Sequence, residues 1–455
     1  MTEVLVRPLT RDVGELAEKM ADLLASAVDV LEVTAGLEAE GIGDRAARLY
    51  GYDDVFLLAE RLYEGSVRRP SRAKKAANPW VNGTGVLHDA GRYALRGLLF
   101  GLPGAGYLAV HGLLGQRSAG LVLTLSLVLC WPVSQGVAAL AYSRREFEDT
   151  KRVLRLGLVY GLPFMIVVSV GIGFWHGASA AVVVVACAQS FYLLSASAAL
   201  VTGGELLLLL ALLPGVVATF AGLPGQLLIV GWAVTGLGVL LIAVDRTRVP
   251  KAHRTANGGI SWIAVWTITP NALFGLVAGG LLTFTIVSAY GGYGAPPEAT
   301  SAAMVALSAS MGPAEWVLYA FRARGHELLV ASRSVREFRF RVRLTLIDLM
   351  GRFMAALAVL IGGAIVVADL PDSSIGPFVC YLLLGGALVI ALMLQSCGRN
   401  AVSLGVCAAT LALEAGVLLV ARPDPSKVQL TGAVVLFTVL LVHTVTVLGR
   451  ATAHR

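Results

Sequence analysis

Between residues 94 and 448 one apolar stretch follows another, separated by short polar loops. Each is close to the roughly 20 residues a helix needs to cross hydrocarbon. A chain built this way has few structural options. Lipid offers no partner for backbone N–H and C=O groups, so each stretch must close its hydrogen bonds on itself as a helix. With 56% hydrophobic and 14% charged residues over 455 positions, there is too little polar surface for a water-soluble fold. The expected fold class is therefore an all-α polytopic membrane protein with about 12 transmembrane helices.

The spans are placed at 94–113, 119–142, 156–175, 178–200, 204–222 and 226–244, then at 262–290, 299–321, 346–368, 376–396, 400–421 and 428–448. Basic residues gather in alternate loops. One carries Arg144, Arg145, Lys151, Arg152 and Arg155; the loop between the halves carries Arg246, Arg248, Lys251 and Arg254; a third carries seven arginines between Arg322 and Arg343. The intervening loops are short and nearly free of them. By the positive-inside bias, both termini are expected in the cytoplasm and the span number is expected to be even. This bias also accounts for the net charge of +7, which does not point to nucleic acid because aromatic residues are few and no basic-aromatic groove is visible.

The two sets of six share span count, loop charge and loop length. Span two holds Pro132 and ends in SRREFEDTKR; span eight holds Pro313 and ends in FRARGHELL. These matches predict a 6+6 internal repeat, with bundles at 92–244 and 262–448 in the same orientation. Residues 1–80 are too polar to enter the membrane and show no cleavable signal peptide. Val13, Leu16, Met20, Leu23, Leu24, Ala27 and Leu31 recur at helical spacing, with Thr10 as the expected N-cap. A short helical cytoplasmic segment is expected here, joined to the first span by the basic linker Arg68–Trp80 and available to a cytoplasmic partner. The mixed stretch Gly325–Leu346 is expected as an amphipathic helix on the cytoplasmic surface.

No enzyme constellation is present: the sequence has no GxSxG, HExxH, P-loop or DxD pattern. No catalytic residue, metal ligand set or cofactor is expected. Cys130, Cys187, Cys380, Cys397 and Cys407 form no CxxC pair and read as small packing residues. What remains is a set of polar groups at membrane depth, where an ionisable side chain is costly and tends to face a cavity or a partner helix. Glu315 and Glu414 are candidates for proton or cation coupling; a hydrogen-bonded packing role is the alternative for each. His443 reads as a packed histidine. Arg96, with Arg92, opens span one and Arg352 opens span nine; each is either an anchor reaching the head groups or part of a cationic entrance for a phosphate-bearing cargo. Gln135 is a candidate path-lining group, as are Ser134, Gln189, Asn271 and Gln395, although helix–helix hydrogen bonding explains them equally well.

With these features in place, the chain resembles the polysaccharide-exporter and lipid-flippase branch of the MATE-like (MOP) superfamily. The resemblance rests on the six-plus-six layout, the basic loops after spans two and eight, and the segments QGVAALAYSRREFEDTKR and MGPAEWVLYAFRARGHEL. It is similar in character to uncharacterised actinobacterial members. It implies alternating access by two bundles around a central cationic cavity, moving a lipid-linked sugar or an amphipathic solute across the plasma membrane. A major-facilitator-type carrier stays open as an alternative, as does a non-transporting scaffold or sensor acting through its N-terminal helices.

Overall fold

The computed structural model describes residues 12–27, 29–65, 86–109, 117–144, 146–249, 262–294, 299–331, 335–370 and 375–447, and every regular element among them is helical. The chain divides into two compact units, Met1–Gly83 with His326–Ser334, and Thr84–Gly325 with Val335–Arg455.

The N-terminal unit contains α1 (Val13–Lys19), α2 (Ala21–Ser26), α3 (Val30–Ala39), α4 (Asp44–Ala47) and α5 (Val55–Gly65). The expected first helix is thus broken into three. Its proposed cap, Thr10, lies outside the described residues, as does the linker Arg68–Trp80. Asp12 caps α1 instead, accepting from Gly14 N at 2.7 Å, and Asp29 restarts the chain as α3 by accepting from Glu32 N at 2.9 Å. A carboxylate at these positions satisfies amides that a helix start leaves unpaired. The helical spacing then buries Leu16, Met20 and Leu24 with Val33, Leu37, Leu58 and Leu62 in one core. Asp44 ties α4 to α5 by accepting from Val55 N at 3.0 Å.

The second unit contains α6 (Val86–Gly101), α7 (Gly104–Ala109), α8 (Arg117–Tyr142), α9 (Phe147–Leu156), α10 (Leu162–Trp175), α11 (Ala180–Val201), α12 (Glu205–Phe220) and α13 (Gly225–Arg246). It continues with α14 (Trp262–Tyr290), α15 (Ala299–Ala309), α16 (Met311–Ala331, of which the residues from His326 on belong to the first unit), α17 (Val335–Val367), α18 (Ile375–Ser396), α19 (Asn400–Ala421) and α20 (Pro425–Val447). Among the described residues, nine helical segments are long and apolar enough to cross a membrane, counting α9 and α10 as one through the wider turn Gly157–Gly161. The chain is accordingly a multi-pass, all-α membrane protein. The remaining stretches expected as spans are divided or short: α6 and α7 meet at Leu102–Pro103, α12 has 16 residues, and α15 and α16 meet at Ser310.

Proline explains where the helices break and how the freed carbonyls are used. Pro103 has no N–H to give to Leu99 O, four residues back. That carbonyl accepts from the Tyr192 hydroxyl on α11 at 3.1 Å instead. Pro313 likewise gives nothing to Ala309 O, and this carbonyl lies against Gly97 of α6, where a Cβ would collide with it. In α9–α10, Pro163 comes directly after the π turn Gly157–Gly161, which loosens the ladder where the proline interrupts it. The expected surface helix at Gly325–Leu346 is not a separate element. Its first part continues α16, and Val335 begins a helix that runs unbroken to Val367.

Among residues 86–246, α8 packs on α10 and α11, α11 on α10, α12 and α13, α12 on α13, and α6 on α12. Among residues 262–447, α15 packs on α17 and α18, α18 on α17, α19 and α20, α19 on α20, and α14 on α19. Two seams join these sets: α8 against α14, and α6 against α15. Both are close because glycines face them. On the first, Gly275 meets Pro132 and Gln135, Gly279 meets Val128 and Trp131, and Gly136 faces Ala272. On the second, Gly312 lies against the Tyr93 carbonyl and Gly101 faces Ala309. Small residues let helix backbones approach this way.

Candidate functional site

The densest group of charges inside the membrane unit lies on the second seam, where α6 meets the start of α12 and the first turns of α16. Helical spacing puts Arg92 and Arg96 on one face of α6, one turn apart. Glu205 is the first residue of α12, where the unpaired amides of a helix N-terminus favour a carboxylate. Glu315 stands two residues after Pro313 on α16.

Arg96 is the centre of this group. Its Nη1 donates to Glu315 Oε2 at 2.5 Å; its Nε and Nη2 donate to Glu205 Oε1 at 3.0 and 2.8 Å; Nη2 also reaches Leu200 O at 3.1 Å. Arg92 Nε adds a further bond to Glu205 Oε1 at 2.8 Å. The guanidinium fork is used on two sides at once, which a lysine ammonium does not reproduce with fixed directions. The Arg96 side chain is 11% exposed and that of Glu205 9%, so water contributes little screening. Tyr93 and Tyr319 flank the group across the seam, their ring centroids 6.2 Å apart. Arg96 and Glu205 belong to the first set of helices and Glu315 to the second, so one side chain bridges the two.

The sequence suggests separate roles for Arg96 and Glu315, as a cationic entrance and a coupling carboxylate. The structure brings the two into direct contact. It also adds Glu205, which in the sequence looks like no more than the end of the polar turn Thr202-Gly203-Gly204. A carboxylate opening an otherwise apolar stretch is the signal that could have found it.

The other candidates lie elsewhere. Gln135 is half-buried on α8, its Cγ packed at Gly275 of α14, so it sits on the first seam. Ser134 bonds Ser197 at 2.8 Å, and Gln189 donates to Leu123 O at 3.1 Å and meets the Tyr107 hydroxyl; both hold α8 and α11 together. Arg352 is paired within α17, donating to Asp348 Oδ1 at 2.9 Å. Glu414 is buried on α19, with Oε1 against Gly432 of α20 and Oε2 lacking a hydrogen-bond partner among the described residues. His443 Nε2 is in the same condition on α20. No group of three or more metal-ligating side chains is found among the described residues.

The carboxylate–guanidinium–carboxylate chain joins the two sets of helices across a glycine-lined seam. Comparison with protein-family models, with curated proteins and with solved structures finds no match for this chain.

Proposed function

We propose that the chain is a transporter of the plasma membrane, with twelve spans arranged as two six-helix halves, 92–244 and 262–448, that part and rejoin to expose a shared path. The observation that carries this reading is Arg96. It holds Glu205 of its own half and Glu315 of the other, so its second bond is broken when the halves separate and remade when they close. The loops at this end carry the arginines, so by the positive-inside bias it is the cytoplasmic end, with both termini on that side.

The neighbour pattern supports a repeat. Counting α6–α7 as span one, α9–α10 as three and α15–α16 as eight, the neighbour pairs two–three, two–four, three–four, four–five, four–six and five–six all recur with six added. The seams two–seven and one–eight exchange with each other under the same operation. Two copies of one unit related by an axis along the membrane normal would pack this way. Glu414, buried with an unpartnered oxygen in the second half, is suited to take up a proton or cation in the cycle. The proposed cargo is a lipid-linked glycan or a similar amphipathic solute, in keeping with the resemblance to MATE-like polysaccharide flippases.

A disulfide across the seam tests the motion. A Cβ built on Gly101 stands 3.4 Å from Ala309 Cβ, close to the spacing a disulfide needs. In proteoliposomes carrying a polyprenyl-phosphate-linked sugar, oxidised G101C/A309C should not flip the lipid, and reductant should restore flipping. Oxidised wild-type protein, with its five native cysteines, should be unaffected. Full activity of the cross-linked protein would remove the parting of this seam from the mechanism.

A further inference from the structure

A second charged cluster, apart from the Arg96 group, has a different character. Arg324 on α16 donates from Nη1 to Asp348 Oδ2 at 3.1 Å, while Arg352 on α17 donates from Nε to Asp348 Oδ1 at 2.9 Å. One carboxylate therefore holds two guanidinium groups, one on each oxygen, and the trio keeps a net charge of +1. Each arginine spends one donor on the bridge, and the rest of each fork has no other partner among the described residues. The cluster is open: the Arg352 side chain is 57% exposed and that of Arg324 40%. Asp348 and Arg352 lie within the apolar helical segment Arg339–Val367, which also carries exposed Leu344 and Ile347.

Two oriented guanidinium groups with spare N–H donors match the oxygens of a phosphate monoanion, and the exposed apolar side chains of the same segment match acyl chains. We infer that Arg324, Asp348 and Arg352 form a binding site for the phosphate head group of an anionic membrane phospholipid. Asp348 is the positioning residue, setting the two forks side by side. This inference does not depend on transport.

The test uses full-length protein in detergent micelles doped with phosphatidylglycerol or phosphatidylcholine, with retained lipid counted by native mass spectrometry. Wild type should retain phosphatidylglycerol with about tenfold preference, the scale of one oriented charge-assisted contact. R324Q and R352K should each lose most of that preference; R352K keeps the charge but not the fork. D348N is the decisive variant. It raises the local charge to +2, so plain attraction predicts tighter binding, whereas loss of positioning predicts a lower preference. A preference in D348N equal to or above wild type, or an unchanged R352K, would overturn the inference. Displacement of phosphatidylglycerol by millimolar inorganic phosphate would overturn the lipid assignment in favour of a soluble phosphate. Monodisperse elution and unchanged helical circular dichroism identify variants that have kept the fold.

Discussion

Among single residues, what matters most is that Arg96 has two carboxylate partners in different places. Glu205 sits on the same set of helices; Glu315 sits across the seam. Replacing Glu315 by Gln keeps the size and removes the charge, weakening the cross-seam contact by about 1.5–3 kcal/mol, the range for hydrogen bonds to charged groups. The proposed cycle then favours the state open at the Arg-rich end. The expected outcome is slower transport together with faster reaction of a Y319C probe with a membrane-impermeant thiol reagent applied to that face. Unchanged labelling and transport would dismiss Glu315 as a closing contact. Arg96→Ala should be more damaging, by about 3–5 kcal/mol, because it leaves a buried carboxylate short of its counter-charge. Arg96→Lys should recover only part of this. Glu414→Gln addresses a separate question. It should leave the thermal unfolding midpoint within a few degrees of wild type while making transport insensitive to an imposed proton or cation gradient; retained gradient dependence would return Glu414 to a packing role.

Among the helices, prolines and glycines do the shaping. Pro103 and Pro313 each free a carbonyl, and the two carbonyls are used differently: Leu99 O takes the Tyr192 hydroxyl, while Ala309 O faces Gly97 on the seam. Gly97→Ala and Gly312→Ala should therefore push α6 from α15 and α16, since the added methyl meets backbone rather than a movable side chain. Much of this level is legible in the sequence. The places of the nine long apolar helices, and the prolines Pro132 and Pro313, can be read from apolar length and residue type alone. The breaks at Leu102–Pro103 and Ser310 are not legible, because a proline in an apolar stretch leaves the stretch apolar. The N-terminal helices show the same boundary. Their core positions come from spacing, but the start of α3 depends on whether Asp29 restarts the helix. That unit has its own core, so Leu58→Asp should unfold it, seen as rapid proteolysis before residue 65, while the membrane helices remain inserted and protected.

For the chain as a whole, the proposed arrangement places both termini on the Arg-rich side. Epitopes at residue 1 and residue 455 should both be reachable from the cytoplasm and protected in sealed, right-side-out cells; opposite exposure would require an odd number of spans. That this chain lives in a membrane as helices can be read from its residues in order. The conclusion needs only the lengths of apolar runs and the demand that backbone polar groups be paired within each run. Most of the charged residues worth attention are visible in the same way, because an ionisable side chain among apolar neighbours is conspicuous in one dimension. Their partners are not visible until the helices are packed. Arg96 and Glu315 are 219 positions apart, and Glu205 lies 109 positions from Arg96, separations over which local spacing carries no information. Which glycine faces which helix is likewise set by how the two sets of helices meet. The same packing takes Arg96 and Arg352, alike in sequence as arginines at the start of spans, and makes one a bridge across a seam and the other half of an exposed pair.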